Sequence, residues 1–233
     1  MAPRPPVHSR SFLPDELLGP LSEAERIHAP KALWASGRTD LLRDGARVAV
    51  VGSRRASALG LARATRLADY LARRGVVVLS GLAAGIDSAA HRAAITAGGG
   101  TIAVLGTPLD RVYPAENRAL QEEIASRHLA ISEFAPGSTV RPSNFVRRNR
   151  TIALLAHASV IVEAGESSGS LSQGWETLRL GRLLFLLSSV VRDPRLRWPA
   201  QMLEHGAIEL SRPEGVLDHL PLDAGRPLVA PPF

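Results

Sequence analysis

The sequence predicts an α/β protein built on a doubly wound, mostly parallel, Rossmann-like sheet with helices on both faces. Three observations carry that expectation. From Arg47 onward, short apolar runs of about five residues alternate with longer Ala/Leu/Arg stretches of helical period. The runs are apolar throughout instead of alternating with polar residues, as strands covered on both faces must be. The first run, Arg47–Val51, closes on Gly52 and a polar turn, Ser53-Arg54-Arg55-Ala56-Ser57, that opens a long helix. A strand feeding a helix in this way is the repeating unit of parallel sheets.

Taken in order, Met1 to Arg10 carries three prolines and no apolar periodicity, so a disordered arm is expected there. The stretch MAPRPPVHSRSF has no apolar core segment and is not expected to be a secretory signal. Phe12 to Leu42 reads as a short lead-in with helical pieces, Lys31-Ala32-Leu33-Trp34 among them, ending in a turn at Asp44-Gly45. Strands are expected at Arg47–Val51, Val76–Ser80, Thr101–Leu105, Leu129–Ser132, Ser159–Glu163 and Leu183–Leu187. Helices are expected at Ala58–Arg74, Asp87–Ala97, Glu116–Ser126, about Thr151–Ala156, and Gly169–Leu180. Beyond Arg192 prolines multiply, and only small helices at Ala200–His205 and Glu214–His219 are expected. The expected organisation is an arm and lead-in over 1–45, a core over 46–192, and an extension over 193–233 packing on the core.

Composition narrows the partners. Hydrophobic residues make up 45% and aromatics 4% of the 233 residues, which suits an aliphatic core in a soluble domain. The net charge is +6 and the pI about 11.0, with Lys31 the sole lysine, so an arginine-rich surface should favour polyanions. With no cysteine, disulfides and thiolate metal sites are excluded. The longest apolar stretches, such as Leu183 to Val191, are too short to span a bilayer, and the expected compartment is the cytoplasm, with no membrane partner.

In an open α/β sheet, ligands sit at the carboxyl ends of the strands. The Gly52-Ser53-Arg54 turn there points backbone N–H groups and a helix N-terminus at one spot, and its arginines bias that spot towards anions. The second such loop, Gly81 to Asp87, has two glycines, with Asp87 placed as an N-cap. Asp87 and His91 share a helix face, but a metal would need further ligands nearby and the sequence offers none, so both read as supporting residues. Between the fourth and fifth strands, residues 141–150 hold Arg141, Arg147, Arg148 and Arg150 with Phe145, and no acid. Guanidinium groups bind phosphates, and a ring offers a face on which any base can stack, which is what a single-stranded nucleic acid site needs. Phe145 would serve equally as a core anchor, and the residues alone leave both roles open. After the fifth strand, Ser168, Gly169 and Ser170 form a second anion-type turn at a helix start. That turn also matches G-x-S-x-G at Gly165, Ser167 and Gly169, yet no oxyanion loop precedes it, and the later Asp193, His205, Asp218 and His219 fall in an irregular tail. A Walker A motif and a G-x-G-x-x-G turn are both absent.

Together these stretches resemble the DNA-processing protein A (DprA/Smf) family. The matching runs are VAVVGSR at Val48–Arg54, SGLAAGID with Ala90-His91, TIAVLG from Thr101, Tyr113-Pro114 with Asn117, ISE at Ile131–Glu133, Phe145 with Arg148-Asn149-Arg150, and Val162–Leu171 ending in SGSL. The resemblance spans roughly 30–187. It implies a Rossmann-like core that binds single-stranded DNA, forms a homodimer, and hands the strand to the RecA recombinase in natural transformation, with no cofactor and no catalytic reaction. By position it puts Arg54 in the binding pocket, Phe145 on a base, Arg148 and Arg150 on phosphates, and Gly169 and Ser170 at the edge of the anion site. Gly52, Ser53, Gly81, Arg147, Asn149 and Ser168 complete the expected set. The chain departs from the family pattern at Val146, Ser172-Gln173-Gly174, Ser188-Ser189-Val190 and Trp198-Pro199-Ala200. Against that family, no full C-terminal winged-helix domain and at most a vestige of the N-terminal helical domain are expected.

Two rivals share the same sheet. Lonely-guy phosphoribohydrolases use G-G-x-G-T-x-x-E, and the position of their acid falls on Gln173 here, with Glu176 one turn on. A module sensing a small nucleotide or nucleotide derivative would use the same pocket without needing the arginines of 141–150.

Overall fold

The computed structural model describes residues 9–43 and 45–220. The expected arm over 1–8, Asp44 of the lead-in turn, and 221–233 of the extension lie outside the described residues.

One nine-stranded sheet organises the chain, with strands β1 (Arg10–Phe12), β2 (Leu33–Gly37), β3 (Arg47–Gly52), β4 (Val77–Ser80), β5 (Thr101–Leu105), β6 (Leu129–Ser132), β7 (Ala158–Glu163), β8 (Leu183–Leu187) and β9 (Ile208–Leu210). Their spatial order is β1-β2-β6-β5-β4-β3-β7-β8-β9. All seven strands from β3 onward pair in parallel, while β2 runs antiparallel to β6 and β1 antiparallel to β2. All six strands expected from the sequence are present, and the sheet is doubly wound as expected.

Ten α-helices, with short 3-10 helices at Thr39–Leu42 and Ala115–Asn117, complete the described fold: α1 (Pro14–Leu18), α2 (Glu23–His28), α3 (Ala58–Ala72), α4 (Ile86–Thr96), α5 (Arg118–Arg127), α6 (Pro142–Leu155), α7 (Ser170–Arg179), α8 (Ser188–Val191), α9 (Trp198–Glu204) and α10 (Glu214–Leu217). Alternate residues of one strand serve opposite faces, as the pleat requires. Val48 and Val50 of β3 pack with Leu67 and Leu71 of α3 and Ala90 of α4. Ala49 turns the other way to join Ile152 and Leu155 of α6, and Val51 joins Trp198 and Met202 of α9. No helix among the described residues is long and apolar enough to cross a membrane.

Three local expectations are corrected. Lys31–Trp34 is not helical: Leu33–Gly37 is a strand, with Leu33 and Ala35 buried in one layer and Trp34 packed in the other. The edge of β6 offers unpaired backbone groups, and pairing with them outweighs the helical propensity of KALW. Arg10, assigned to the arm, begins β1. The third correction concerns the helix expected at about Thr151–Ala156, which starts at Pro142, so that 142–150 form the first part of α6. Pro142 at the first helical position is preorganised for a helix start, and nothing after it breaks the helix.

The chain runs outward from β3 through β4 and β5 to β6, then returns to place β7 on the other side of β3. This reversal leaves a crevice beyond the carboxyl ends of β3 and β7, where Gly52 and Glu163 pair.

Candidate nucleic-acid interface

Gly52 starts the site because no larger residue fits. Register shifts between Val51 and Gly52, and a Cβ at Gly52 would lie 2.6 Å from the Glu163 carbonyl oxygen. Ser53 N–H donates to that same oxygen at 2.7 Å. The Glu163 carboxylate accepts from Ser57 N–H at 2.8 Å and from Ser57 Oγ–H. Ser57 Oγ in turn accepts from Gly60 N–H at 2.9 Å, capping α3. One acidic side chain thus pins the whole β3–α3 turn, and Arg54 projects from it into the crevice.

The β4–α4 loop forms the next wall. The helix cap is Gly85, with φ +78°, and not Asp87 as expected. Asp87, inside the first turn, folds back so that its Oδ2 accepts from Gly81 N–H at 3.1 Å and Ala83 N–H at 3.3 Å. Gly85 lies against the Ser53-Arg54 backbone, where Ile86 N–H donates to Ser53 O at 3.2 Å, so the two βα turns are locked together. His91 is fully buried, with Nδ1 2.7 Å from Thr101 Oγ1. Burial lowers its pKa to about 3, so it stays neutral. No cluster of three or more His, Cys, Asp or Glu suited to a metal occurs among the described residues.

Helix α6 divides the arginine run. Phe145, Arg148, Asn149 and Ile152, at spacings of three, four and seven, line the crevice. Arg147, Arg150 and Thr151 line a separate groove of about 410 Å³ with Lys31 and Glu133. Arg147 Nη2 donates to Glu133 Oε2 at 2.9 Å, and its Cζ lies 5.1 Å from the Phe134 ring centroid. Arg150 Nε is 3.3 Å from Glu176 Oε1, which also accepts from Arg179 at 2.9 Å. Helical spacing therefore turns these two residues away from the crevice to which they were assigned.

Arg148 has a different task from the phosphate contact expected of it. It is buried, with Nη1 donating to the Gly81 carbonyl and, at 2.9 Å, to the Val104 carbonyl, while Nε donates to Asn149 Oδ1 at 3.2 Å. It staples the ends of β4 and β5 to α6. Burial lowers the Arg148 pKa and raises that of Asp87, and each charge opposes the shift of the other.

The last wall is the start of α7. Asn149 Nδ2 donates to the Gly169 carbonyl at 3.0 Å and to Ser172 Oγ at 2.8 Å. Ser168 Oγ and Ser170 Oγ are 2.7 Å apart. Gly169, Ser170 and the buried Gln173 face the crevice, whereas Ser53, Gly81 and Ser168 shape its walls from behind. Glu176 is held by its arginine partners outside it. Three of the four residues that a Ser167 hydrolase would recruit are otherwise engaged: His205 packs on Trp175, His219 on Phe185, and Asp193 pairs with Arg195.

The enclosed space is about 460 Å³, bounded by Arg54, Arg141 and Arg148 against one carboxylate, Asp87. Phe145 stands half-buried at its rim, tilted 52° against Tyr113 with ring centroids 5.2 Å apart. The Arg54 Cζ lies 5.5 Å from the Phe145 centroid. Tyr113 and Arg141 were absent from the expected site set. The signal available for Tyr113 was its place before Pro114, and for Arg141 its place at the head of the basic run.

Sheet order and crevice define the class: a Rossmann-like binding fold with a cationic, aromatic-rimmed cleft at its topological switch point. Residues 16–221 match the model for the DNA recombination-mediator protein A family, and the chain belongs to that family. It is 34% identical over 192 residues to the DNA processing protein DprA of Bacillus subtilis, covering 82% of this chain and 65% of that relative. The chain thus spans just under two thirds of that relative's length. The X-ray structure of DprA from Streptococcus pneumoniae superposes with a TM-score of 0.79 at 35% identity, covering 91% of this chain and 74% of that one. The structure describing the single-stranded DNA binding mode of DprA from Helicobacter pylori superposes with a TM-score of 0.76 at 28% identity, covering 91% and 94%.

Proposed function

We propose that the crevice binds single-stranded DNA and that the chain works by binding and transfer, not by catalysis. The observation that carries this reading is the pairing of Arg54 with Phe145 at the rim, a cation beside a ring 5.5 Å away. Such a pair serves a phosphate and its neighbouring base at once. The relative from Helicobacter pylori, described by its single-stranded DNA binding mode, supports it. The residues proposed for contact are Arg54, Arg141 and Phe145, with Gly52, Gly169 and Ser170 as backbone and hydroxyl donors. Gln173 at the position of the Lonely-guy acid, with Glu176 engaged by Arg150 and Arg179, supports a role without bond cleavage. We further propose residues 46–192 as the binding core, flanked by 1–45 and 193–233, acting in the cytoplasm as a homodimer that delivers the strand to RecA.

Fluorescence anisotropy with a labelled single-stranded oligonucleotide, competed by duplex and by mononucleotides over a salt series, tests the reading. Salt-steep binding that duplex and mononucleotides displace poorly is expected. The size of the crevice, about 460 Å³, favours one alternative, a small-nucleotide sensor. Displacement by a mononucleotide at low concentration would establish the sensor instead.

A further inference from the structure

A further cavity, of about 270 Å³, opens where β8 ends at Leu187 and β9 ends at Leu210. Arg63 and Arg66, both exposed on α3, and Arg212 after β9 supply its charge, and Ser188, Ser189 and Ser211 line it, the Ser188 hydroxyl donating to the Leu210 carbonyl at 3.3 Å. No acid lines it, and among the described residues none of the three arginines has a carboxylate partner. Arg147 and Arg150 differ in this respect, because Glu133 and Glu176 already offset their charge. Three uncompensated guanidinium groups around one concavity repel each other, and a concave wall concentrates their field, so the site is relieved by an anion. The volume suits a phosphate group.

We propose that this cavity is a second phosphate site, and that a strand held in the crevice passes over the Arg55 turn to reach it. The proposal rests on the single-strand reading of the crevice. Strands β3, β7, β8 and β9 are consecutive neighbours, and at about 4.8 Å per strand the gap between β8 and β9 lies about 10 Å along the edge from that between β3 and β7. Arg55 is exposed in the turn that leads into α3. A strand covering about 4–16 nucleotides spans that distance.

The test compares wild type with a variant carrying Arg63→Ala, Arg66→Ala and Arg212→Ala, using a thymidine dinucleotide, too short to reach from the crevice to the cavity, and an oligothymidylate of about 16 nucleotides. All three side chains are exposed, and circular dichroism checks that the variant folds. The dinucleotide, filling the crevice alone, should bind both proteins alike. For the long one, each lost contact should lower the salt slope by roughly 0.7, or roughly five-fold in affinity at 0.1 M salt. Equal affinity and slope for the long oligomer would overturn the strand path and leave the crevice reading intact. If wild type binds neither oligomer, both fall. Inorganic pyrophosphate separates the sources of phosphate: if it shifts the Arg63 and Arg66 side-chain NMR signals and the long oligomer does not, the site takes free phosphate and the strand path is wrong.

Discussion

Arg148 and Gly81 occupy one space: the guanidinium lies where a side chain on residue 81 would be, and its Nη1 donates to the Gly81 carbonyl. Gly81→Ala should therefore push the arginine off two carbonyls, at a cost of about 1–3 kcal/mol. Arg148→Ala should cost on the order of 3 kcal/mol, since it leaves the carbonyls of Gly81 and Val104 buried without donors. Urea midpoints with unchanged m-values are the measurement. An Arg148→Ala protein of wild-type stability that fails to bind a strand would return this residue to the ligand.

Phe145→Ala should weaken single-strand binding by about 1–3 kcal/mol if a base stacks on the ring. The ring is half-buried and its contacts are to Tyr113, Arg54 and Gly106, so loss of binding should exceed loss of stability. Anisotropy and thermal unfolding of the same variant separate the two. A collapse of stability with binding intact per folded molecule would make Phe145 a packing anchor.

Arg54 and Arg147 should differ in the salt dependence of binding. Arg54→Ala removes a cation that faces the crevice and should lower the slope of log K against log salt by roughly 0.7. Arg147→Ala removes one already paired with Glu133 on the far side of α6 and should leave the slope unchanged. Equal slopes for the two variants would show that the split of the arginine run has no bearing on binding.

Two buried histidines predict acid sensitivity. Burial holds the pKa of His91 at about 3, and burial with the nearby charges of Arg47 and Arg182 does the same for His157. An unfolded histidine titrates near 6.5, so between pH 6.5 and 3 the unfolded chain binds more protons than the native one. Stability should thus fall as pH drops through that window, by up to about 1.4 kcal/mol per pH unit for each histidine. Asp87, its pKa raised by burial, acts in the opposite sense above its unfolded value. Unfolding of wild type and His157→Asn at pH 7 and pH 5 measures the effect, and identical pH dependence in the two would remove His157 from it.

What was legible in the sequence follows from local chemistry. Continuous apolar runs marked six strands because both of their faces are covered, and Gly52 marked the turn because no Cβ fits against Glu163. The lead-in was misread because Leu33–Gly37 takes its structure from β6, nearly a hundred residues away in sequence. Polarity kept the basic run out of the helix expected at about Thr151–Ala156, which starts at Pro142. Its own spacing, Phe145-Arg148-Asn149-Ile152, already described a helix face and would have separated Arg147 and Arg150 from the crevice. Nothing local marks Arg148 as buried, since its partners are carbonyls at Gly81 and Val104, far along the chain.

Both outermost strands among the described residues, Arg10–Phe12 and Ile208–Leu210, are three residues long. A neighbouring sheet would find only a few free backbone groups at either border, too few to seed continuous strand-by-strand growth. Nine strands in a row would otherwise be a template for fibres. Any contact between two copies of this protein would therefore fall to helices or loops, with side chains and not main chain deciding which surfaces match.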